Sequence, residues 1–86
     1  MPEIVIYSTT TCPYCVKAKM LLDKKKATYQ EINLTLDPSR RDEMLKRAQG
    51  RKTVPQIFIG DHHVGGCDDL YALESEGKLD ALLGRG

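Results

Sequence analysis

The sequence predicts an α/β domain in which a mixed four-stranded sheet lies between helices. Short runs of β-branched and aromatic residues alternate with amphipathic stretches in the order βαβαββα, as in a small α/β domain. A Gly60-Asp61 turn joins the last two strand-like runs, so they must form an antiparallel hairpin, whereas a helical crossover makes the first two strands parallel neighbours. With 86 residues the chain has room for a single domain, residues 1–86, with one modest core.

The first strand and the first helix are predicted by contrasting patterns. Residues 3–7 are rich enough in β-branched and aromatic side chains for a central strand covered on both faces. The hydroxyl residues 8–11 end the strand and supply helix caps, and Pro13 suits a first turn because its missing N–H needs no partner there. We therefore expect a helix from about Cys12 to about Lys25. Its predicted core-facing residues, spaced by three and four positions, are Val16, Ala18, Met20, Leu21 and Leu22.

The remaining elements follow from alternation, prolines and glycines. Residues 29–34 alternate well enough for a second strand, and Asp37-Pro38-Ser39 signals the start of a helix that runs to Gly50. Met44, Leu45 and Ala48 give that helix its apolar stripe. Further along, we predict a third strand over residues 54–59, a short fourth over 62–64, a third helix from the cap candidates 67–69 to about residue 77, and a last helical turn over 79–83.

Composition and charge exclude several classes of partner. A hydrophobic share of 41% and a charged share of 29% are those of an ordinary globular protein. The formal net charge of +1 provides no field that would favour nucleic acid or an anionic membrane as partner. No apolar window approaches the roughly 18 residues of a membrane span, and the Met1-Pro2-Glu3 start has no basic segment followed by an apolar one. We therefore expect a cytoplasmic protein.

Three cysteines fit poorly with a disulfide-stapled secreted domain, because their number is odd. In a reducing compartment, the pair in Cys12-Pro13-Tyr14-Cys15 is better explained as catalytic or metal-binding than as structural. A C-x-x-C between a strand and a helix is typical of thioredoxin-like redox motifs. Two buried helix cysteines without a redox role remain the simplest alternative.

The two thiols of this motif are expected to differ. Cys12 falls where the helix begins, so its sulfur can face unpaired backbone N–H groups and the positive end of the helix dipole. Such settings lower a thiol pKa from about 8.5 to roughly 3.5–7.5 and so supply a thiolate at neutral pH. Cys15 lies further into the first turn and should be less ionised and less exposed. We predict that Cys12 is the exposed nucleophile and Cys15 the resolving thiol.

A zinc site is the alternative for these cysteines. Cys67 with His62 or His63 could complete a Cys3His set around the motif. Adjacent histidines on a strand point to opposite faces, however, and no second C-x-x-C is present. We therefore expect no metal, and interpret the histidines as hairpin residues of which one is exposed.

Two further segments could contribute to a site. Pro55 follows Val54 at the head of a strand, where a cis bond could aim backbone groups, although spacing alone favours a simple start of an edge strand. The block 65–69, Gly-Gly-Cys-Asp-Asp, opens a helix whose N–H groups could bind a carboxylate while its aspartates bind an ammonium group. Simple capping by Asp68 or Asp69 explains the block equally well, and Cys67 fits a small buried residue better than a third redox thiol.

Taken together, Cys12-Pro13-Tyr14-Cys15, Thr53-Val54-Pro55 and the block 65–69 strongly resemble the glutaredoxin family, in particular small bacterial dithiol glutaredoxins. The resemblance covers essentially the whole chain. It implies a thioredoxin fold with sheet order 2-1-3-4, a cis peptide before Pro55, and glutathione as co-substrate.

The resemblance also implies a glutathione groove. Thr53 and Val54 would pair their backbone with the cysteinyl part of glutathione, and Tyr14 would flank the sulfur. Lys52 or Arg51 would meet the glycyl carboxylate, with Lys52 ranked ahead because it adjoins Thr53. The implied groove residues are Tyr14, Lys52, Thr53, Val54, Pro55, Gly66, Cys67, Asp68 and Asp69, of which the last three would hold the γ-glutamyl end.

The implied activity is glutathione-dependent reduction of protein–glutathione mixed disulfides by Cys12 alone, and of protein disulfides by Cys12 with Cys15. The implied partners are glutathione and glutathionylated or disulfide-containing proteins, with the enzyme a monomer. One departure is that many relatives carry a lysine shortly before the first cysteine, where this chain has residues 8–11, Ser-Thr-Thr-Thr. The helix terminus must then carry more of the stabilisation of the Cys12 thiolate.

Two other activities remain open on the sequence. One is a thioredoxin-like reductase served by a flavoprotein rather than by glutathione. The other is a carrier in which two chains and two glutathiones hold an iron–sulfur cluster through Cys12. Pro13 argues against the carrier, because relatives that bind clusters tend to have a smaller or more flexible residue beside the nucleophile.

Overall fold

A computed structural model describes residues 2–84; Met1, Arg85 and Gly86, the ends of the predicted domain, lie outside the described residues. The predicted order of strands and helices is confirmed. The elements are β1 (Ile4–Ser8), α1 (Pro13–Lys24), β2 (Gln30–Asn33), a 3-10 turn (Pro38–Arg40), α2 (Arg41–Arg47), β3 (Gln56–Ile59), β4 (His62–Gly65), α3 (Cys67–Ser75) and α4 (Leu79–Leu82).

The four strands form one sheet in the order β2-β1-β3-β4, as the family resemblance implied. β1 pairs in parallel with β2 and antiparallel with β3, and β3 pairs antiparallel with β4. The C-terminal end of β1 therefore lies beside the N-terminal end of β3. The motif that follows β1 and the segment that precedes β3 meet at the same edge of the sheet.

Both faces of the sheet are covered, which explains the apolar character of β1. Side chains of alternate residues point to opposite faces, so Ile4 and Ile6 join one core while Val5 and Tyr7 join the other. The first core contains residues of α1, α3 and α4. The second contains Met44 of α2 and Ala48, which follows that helix. Each fully buried aliphatic side chain contributes about 1.5–3 kcal/mol to the free energy of folding.

Within residues 2–84, no helix is long and apolar enough to cross a bilayer.

The prediction that Val16 and Met20 face the core is wrong. They are 50% and 62% exposed, whereas Ala18 and Leu22 are completely buried. At 100° per residue, Val16 and Met20 lie on the opposite side of α1 from Ala18 and Leu22. The predicted spacing of three and four residues therefore combined side chains from two different faces of α1.

Several predicted boundaries were too wide. The second helix, expected from Asp37 to Gly50, consists of the 3-10 turn followed by α2, although Met44 and Ala48 are buried as predicted. The second strand, predicted over residues 29–34, is reduced to β2. The third begins at Gln56 rather than at Val54, because Pro55 has no N–H to donate to a sheet ladder.

Candidate redox site and its cleft

The Cys12-Pro13-Tyr14-Cys15 motif lies at the N-terminus of α1, as predicted. Cys12 is the N-cap residue, with extended backbone angles, and Pro13 opens the helix. The two cysteines are joined by a disulfide with their Cα atoms 5.1 Å apart. The Cys12 Sγ also accepts a hydrogen bond from the backbone N–H of Cys15, with the two atoms 3.1 Å apart. That N–H can equally stabilise a thiolate at Cys12 when the disulfide is reduced.

The two sulfurs differ in accessibility less than the sequence suggested. Cys12 is 8% exposed and Cys15 is 1% exposed. Cys12 is the more accessible of the two, as predicted, but the expectation of an exposed Cys12 is wrong, because the segment that precedes β3 packs beside it. The Cys12 Sγ lies 3.9 Å from the carbonyl oxygen of Val54, a residue 42 positions further along the chain.

Val54 and Pro55 are joined by a cis peptide bond, as the resemblance implied, and not by the trans bond of a simple strand start. Within residues 2–84, neither the N–H nor the C=O of Val54 pairs with another backbone group. The sheet ladder begins only at Gln56. Val54 therefore offers one free donor and one free acceptor directly beside the Cys12 sulfur, which is the arrangement that an extended peptide needs for pairing.

A cleft of about 260 Å³ adjoins this pair. Every predicted groove residue except Lys52 lines it, and Arg51 lines it where Lys52 was ranked ahead. The structure therefore places Arg51 at the cleft, and the ranking of Lys52 ahead of it for the glycyl carboxylate stays a prediction. The lining residues are Tyr14, Arg51, Thr53, Val54, Pro55, Gly66, Cys67, Asp68 and Asp69.

The two aspartates at the start of α3 are used differently. The Asp69 carboxylate accepts a hydrogen bond from the N–H of Gly66 at 2.9 Å and lies 3.6 Å from the Arg51 guanidinium, so it caps the helix. The Asp68 side chain makes no hydrogen bond or ion pair with the rest of residues 2–84, although Asp68 lines the cleft. Of the two, Asp68 is therefore the carboxylate available to a cationic group in the cleft.

Gly65, which precedes the cleft residue Gly66, permits close packing around Asp69. Its φ of +112° is one that side-chain-bearing residues rarely adopt. A Cβ at this position would also collide with the carboxylate of Asp69 and come within 2.9 Å of the Arg51 guanidinium. The absence of a side chain at Gly65 is thus what lets Arg51 and Asp69 approach each other.

Comparison with known proteins identifies the family. The profile described as Glutaredoxin matches residues 4–64. A glutaredoxin from Pseudomonas aeruginosa is 58% identical over 96% of this chain and 98% of its own length. This chain belongs to the glutaredoxin family. Glutaredoxins are thiol–disulfide oxidoreductases, and that activity is the one that the paired cysteines of this site can perform.

Solved structures agree with the sequence match and confirm the thioredoxin fold. The solution structure of a glutaredoxin from Brucella melitensis is 57% identical, covers 100% of this chain and 92% of that chain, and superposes with a TM-score of 0.83. The crystal structure of a buckwheat glutaredoxin–glutathione complex is 36% identical, covers 96% of this chain and 77% of that chain, and has a TM-score of 0.87.

Cys67 behaves as a buried thiol in this glutaredoxin. It is 5% exposed, and its pKa is raised mainly by burial, with Asp68 raising it further and Lys17 opposing the shift. A thiol with a raised pKa stays protonated at neutral pH and is a poor nucleophile. The interpretation of Cys67 as a small buried residue therefore agrees with its surroundings.

The Cys3His arrangement considered from the sequence is not assembled in the described glutaredoxin chain. Among residues 2–84, no three His, Cys, Asp or Glu side chains come together as ligands for one metal ion. His62 is exposed on β4, while His63 points inward and contacts Gln56 at 2.7 Å. The histidines are hairpin residues, one of them exposed, as predicted.

Sequence reasoning missed two residues beside the glutaredoxin site. Gln56 is completely buried and donates hydrogen bonds to Thr53, and His63 holds the other end of its amide. A glutamine within the otherwise apolar strand 56–59 was the available signal, because a buried polar side chain needs partners.

Proposed function

We propose that this glutaredoxin uses glutathione to reduce protein–glutathione mixed disulfides through Cys12 alone, and protein disulfides through Cys12 together with Cys15. The observation that carries the proposal is the unpaired backbone of Val54 beside the Cys12 sulfur, with 3.9 Å between that sulfur and the Val54 carbonyl oxygen. The glutathione complex of the buckwheat relative supports the choice of thiol.

Each part of glutathione has a partner of suitable chemistry in the cleft. The cysteinyl N–H and C=O would pair with the backbone of Val54, as an added strand pairs with a sheet edge. The γ-glutamyl carboxylate would accept from the free N–H groups at the start of α3, and its ammonium group would meet Asp68. The glycyl carboxylate would meet Arg51, whose side chain is half exposed.

In the route that needs one thiol, the Cys12 thiolate attacks the glutathione sulfur of the mixed disulfide. The bond between the two substrate sulfurs breaks, and the protein leaves as a thiolate that takes a proton from water. A second glutathione thiolate then attacks the glutathione sulfur now bound to Cys12. Oxidised glutathione leaves and the Cys12 thiolate is restored, so one free glutathione is consumed and the disulfide bond passes from the protein to oxidised glutathione.

In the route that needs two thiols, Cys12 attacks a protein disulfide and forms a mixed disulfide with the protein. The Cys15 thiol, after losing its proton, attacks the Cys12 sulfur, and the reduced protein leaves. The resulting Cys12–Cys15 disulfide is the bond present in the structure. Two glutathiones then reduce it.

We further propose that the enzyme acts as a monomer in the reducing environment of the cytoplasm.

The proposal is tested by the choice of reductant. With a small mixed disulfide of glutathione as substrate, we expect NADPH consumption when glutathione and glutathione reductase are supplied. Thioredoxin reductase should not replace them, because the cleft would bind glutathione and not a flavoprotein. The control is the same mixture without this protein. Turnover that depends on the flavoprotein reductase and not on glutathione would favour the thioredoxin-like alternative.

The choice between two neighbouring cations gives a further prediction. Arg51→Gln should raise the KM for glutathione about three- to tenfold with kcat retained, because a half-exposed charge contact is worth about 1 kcal/mol. Lys52→Gln removes the same charge one position along, outside the cleft, and should change KM less than about twofold. Steady-state kinetics of the two variants, with thermal unfolding as the folding control, compare them. A larger effect at Lys52 would restore the ranking made from the sequence.

A further inference from the structure

The amide of Gln56 is completely buried and all of its hydrogen-bonding groups are paired. Its Nε2 donates to the carbonyl oxygen of Thr53 at 2.9 Å and to the Thr53 hydroxyl oxygen at 3.1 Å. Its Oε1 lies 2.7 Å from the Nε2 of His63. One side chain of β3 thus connects β4 to the segment immediately before Val54.

The bond to the Thr53 carbonyl determines which group donates and which accepts in each of these hydrogen bonds. A carbonyl oxygen can only accept, so the NH₂ group of Gln56 must face Thr53 and its oxygen must face His63. His63 must then carry a proton on Nε2, a condition that the corresponding neutral tautomer and the imidazolium both satisfy. The bond therefore does not depend on the charge of His63. Burial and the nearby charge of Arg51 lower the pKa of His63, which favours the neutral form.

His63 is itself held firmly. It is the β4 partner of Phe58 in the sheet register, and its ring stacks on the Phe58 ring with centroids 4.7 Å apart and planes 15° from parallel. The donor to Gln56 is thus fixed by its pairing with Phe58 in the sheet, next to a register shift between Ile57 and Phe58, and by ring stacking. His63 on β4 therefore orients the Gln56 side chain, and Gln56 in turn holds Thr53, which is not part of a strand.

We propose that Gln56, oriented by His63, is a positioning residue for glutathione. It draws the Thr53 carbonyl and hydroxyl inward, and this fixes the next residue, Val54, with its free N–H and C=O available beside Cys12. The inference rests on the proposed function and deepens it.

Four variants test the proposal. His63→Leu removes the donor to Gln56, whereas His63→Gln supplies an amide N–H in its place. His62→Leu is the matched control, because it alters the adjacent, exposed histidine of β4, whereas His63 is the histidine hydrogen-bonded to Gln56. Gln56→Met removes the whole connection with a side chain of similar size. The measurements are KM for glutathione and kcat with a small mixed disulfide, and the thermal unfolding midpoint.

A positioning role predicts a specific pattern. KM for glutathione should rise about tenfold in Gln56→Met and about threefold in His63→Leu, with kcat within about twofold of the wild type. His63→Gln should restore the wild-type KM, and His62→Leu should not change it. If Gln56→Met fails to fold, the comparison of the His63 variants decides alone, because His63 is only partly buried.

Three results would overturn the inference. An unchanged KM in His63→Leu, with glutathione-dependent turnover intact in the wild type, would reject the role of Gln56 while the proposed function stands. A lower unfolding midpoint with equal losses in all kinetic constants, not rescued by His63→Gln, would assign the network to stability alone. Absence of glutathione-dependent turnover in the wild type would instead reject the proposed function, and the positioning role with it.

Discussion

Cys12→Ser should abolish reduction of both glutathionylated proteins and protein disulfides, with turnover falling at least about 1000-fold. A serine hydroxyl is not ionised at neutral pH even at a helix N-terminus, and it cannot form the mixed disulfide on which both routes depend. The measurement is NADPH consumption coupled to glutathione and glutathione reductase, with a mixed disulfide and a protein disulfide as separate substrates.

The folding control for this variant is its thermal unfolding against the reduced wild type. Serine can still accept the N–H of Cys15 that the Cys12 sulfur accepts at 3.1 Å, so the N-cap of α1 should survive. Turnover retained in Cys12→Ser would contradict the assignment of the nucleophile. The role would then pass to Cys15 or to the buried Cys67.

Cys15→Ser should separate the two routes. Reduction of mixed disulfides should persist within about threefold, because that route needs only the Cys12 sulfur and the cleft. Reduction of protein disulfides should fall about 100-fold, because the Cys12–protein intermediate loses an attacking thiol held three residues away and must wait for glutathione. Both rates are measured with the coupled assay used for Cys12→Ser.

Mass spectrometry provides an independent check on Cys15→Ser. After incubation with oxidised glutathione, the variant should accumulate one glutathione on Cys12, whereas the wild type can resolve that adduct as the Cys12–Cys15 disulfide. Serine fills nearly the same space at this buried position. A variant that folds yet loses turnover on mixed disulfides would show that Cys15 is needed for more than resolution.

The order of elements could be predicted because local patterns determine it. Five consecutive apolar or small residues in β1 indicate a strand buried on both faces, and prolines and glycines limit the elements that follow. The position of Cys12 at the start of a helix was equally local, because it depends on Pro13 and on the hydroxyl residues before it. These predictions required no knowledge of distant contacts.

The sequence could not predict the directions of side chains that only tertiary packing determines. Spacing placed Val16 in the core, but the rotation of α1 against the sheet leaves it half exposed. Sequence adjacency favoured Lys52, but Arg51 lines the cleft beside Asp69. The bond between Gln56 and His63 depends on the register between β3 and β4, which neither strand reveals on its own.

The meeting of the C-terminal end of β1 with the N-terminal end of β3 has an evolutionary consequence. The sulfur chemistry is carried by residues 12–15, whereas most of the lining of the cleft belongs to residues 51–69. Substitutions in the later segment can therefore alter which thiol compound the enzyme accepts without altering the bond that it breaks. Selection can act on substrate choice and on reactivity as two separate traits within one small domain.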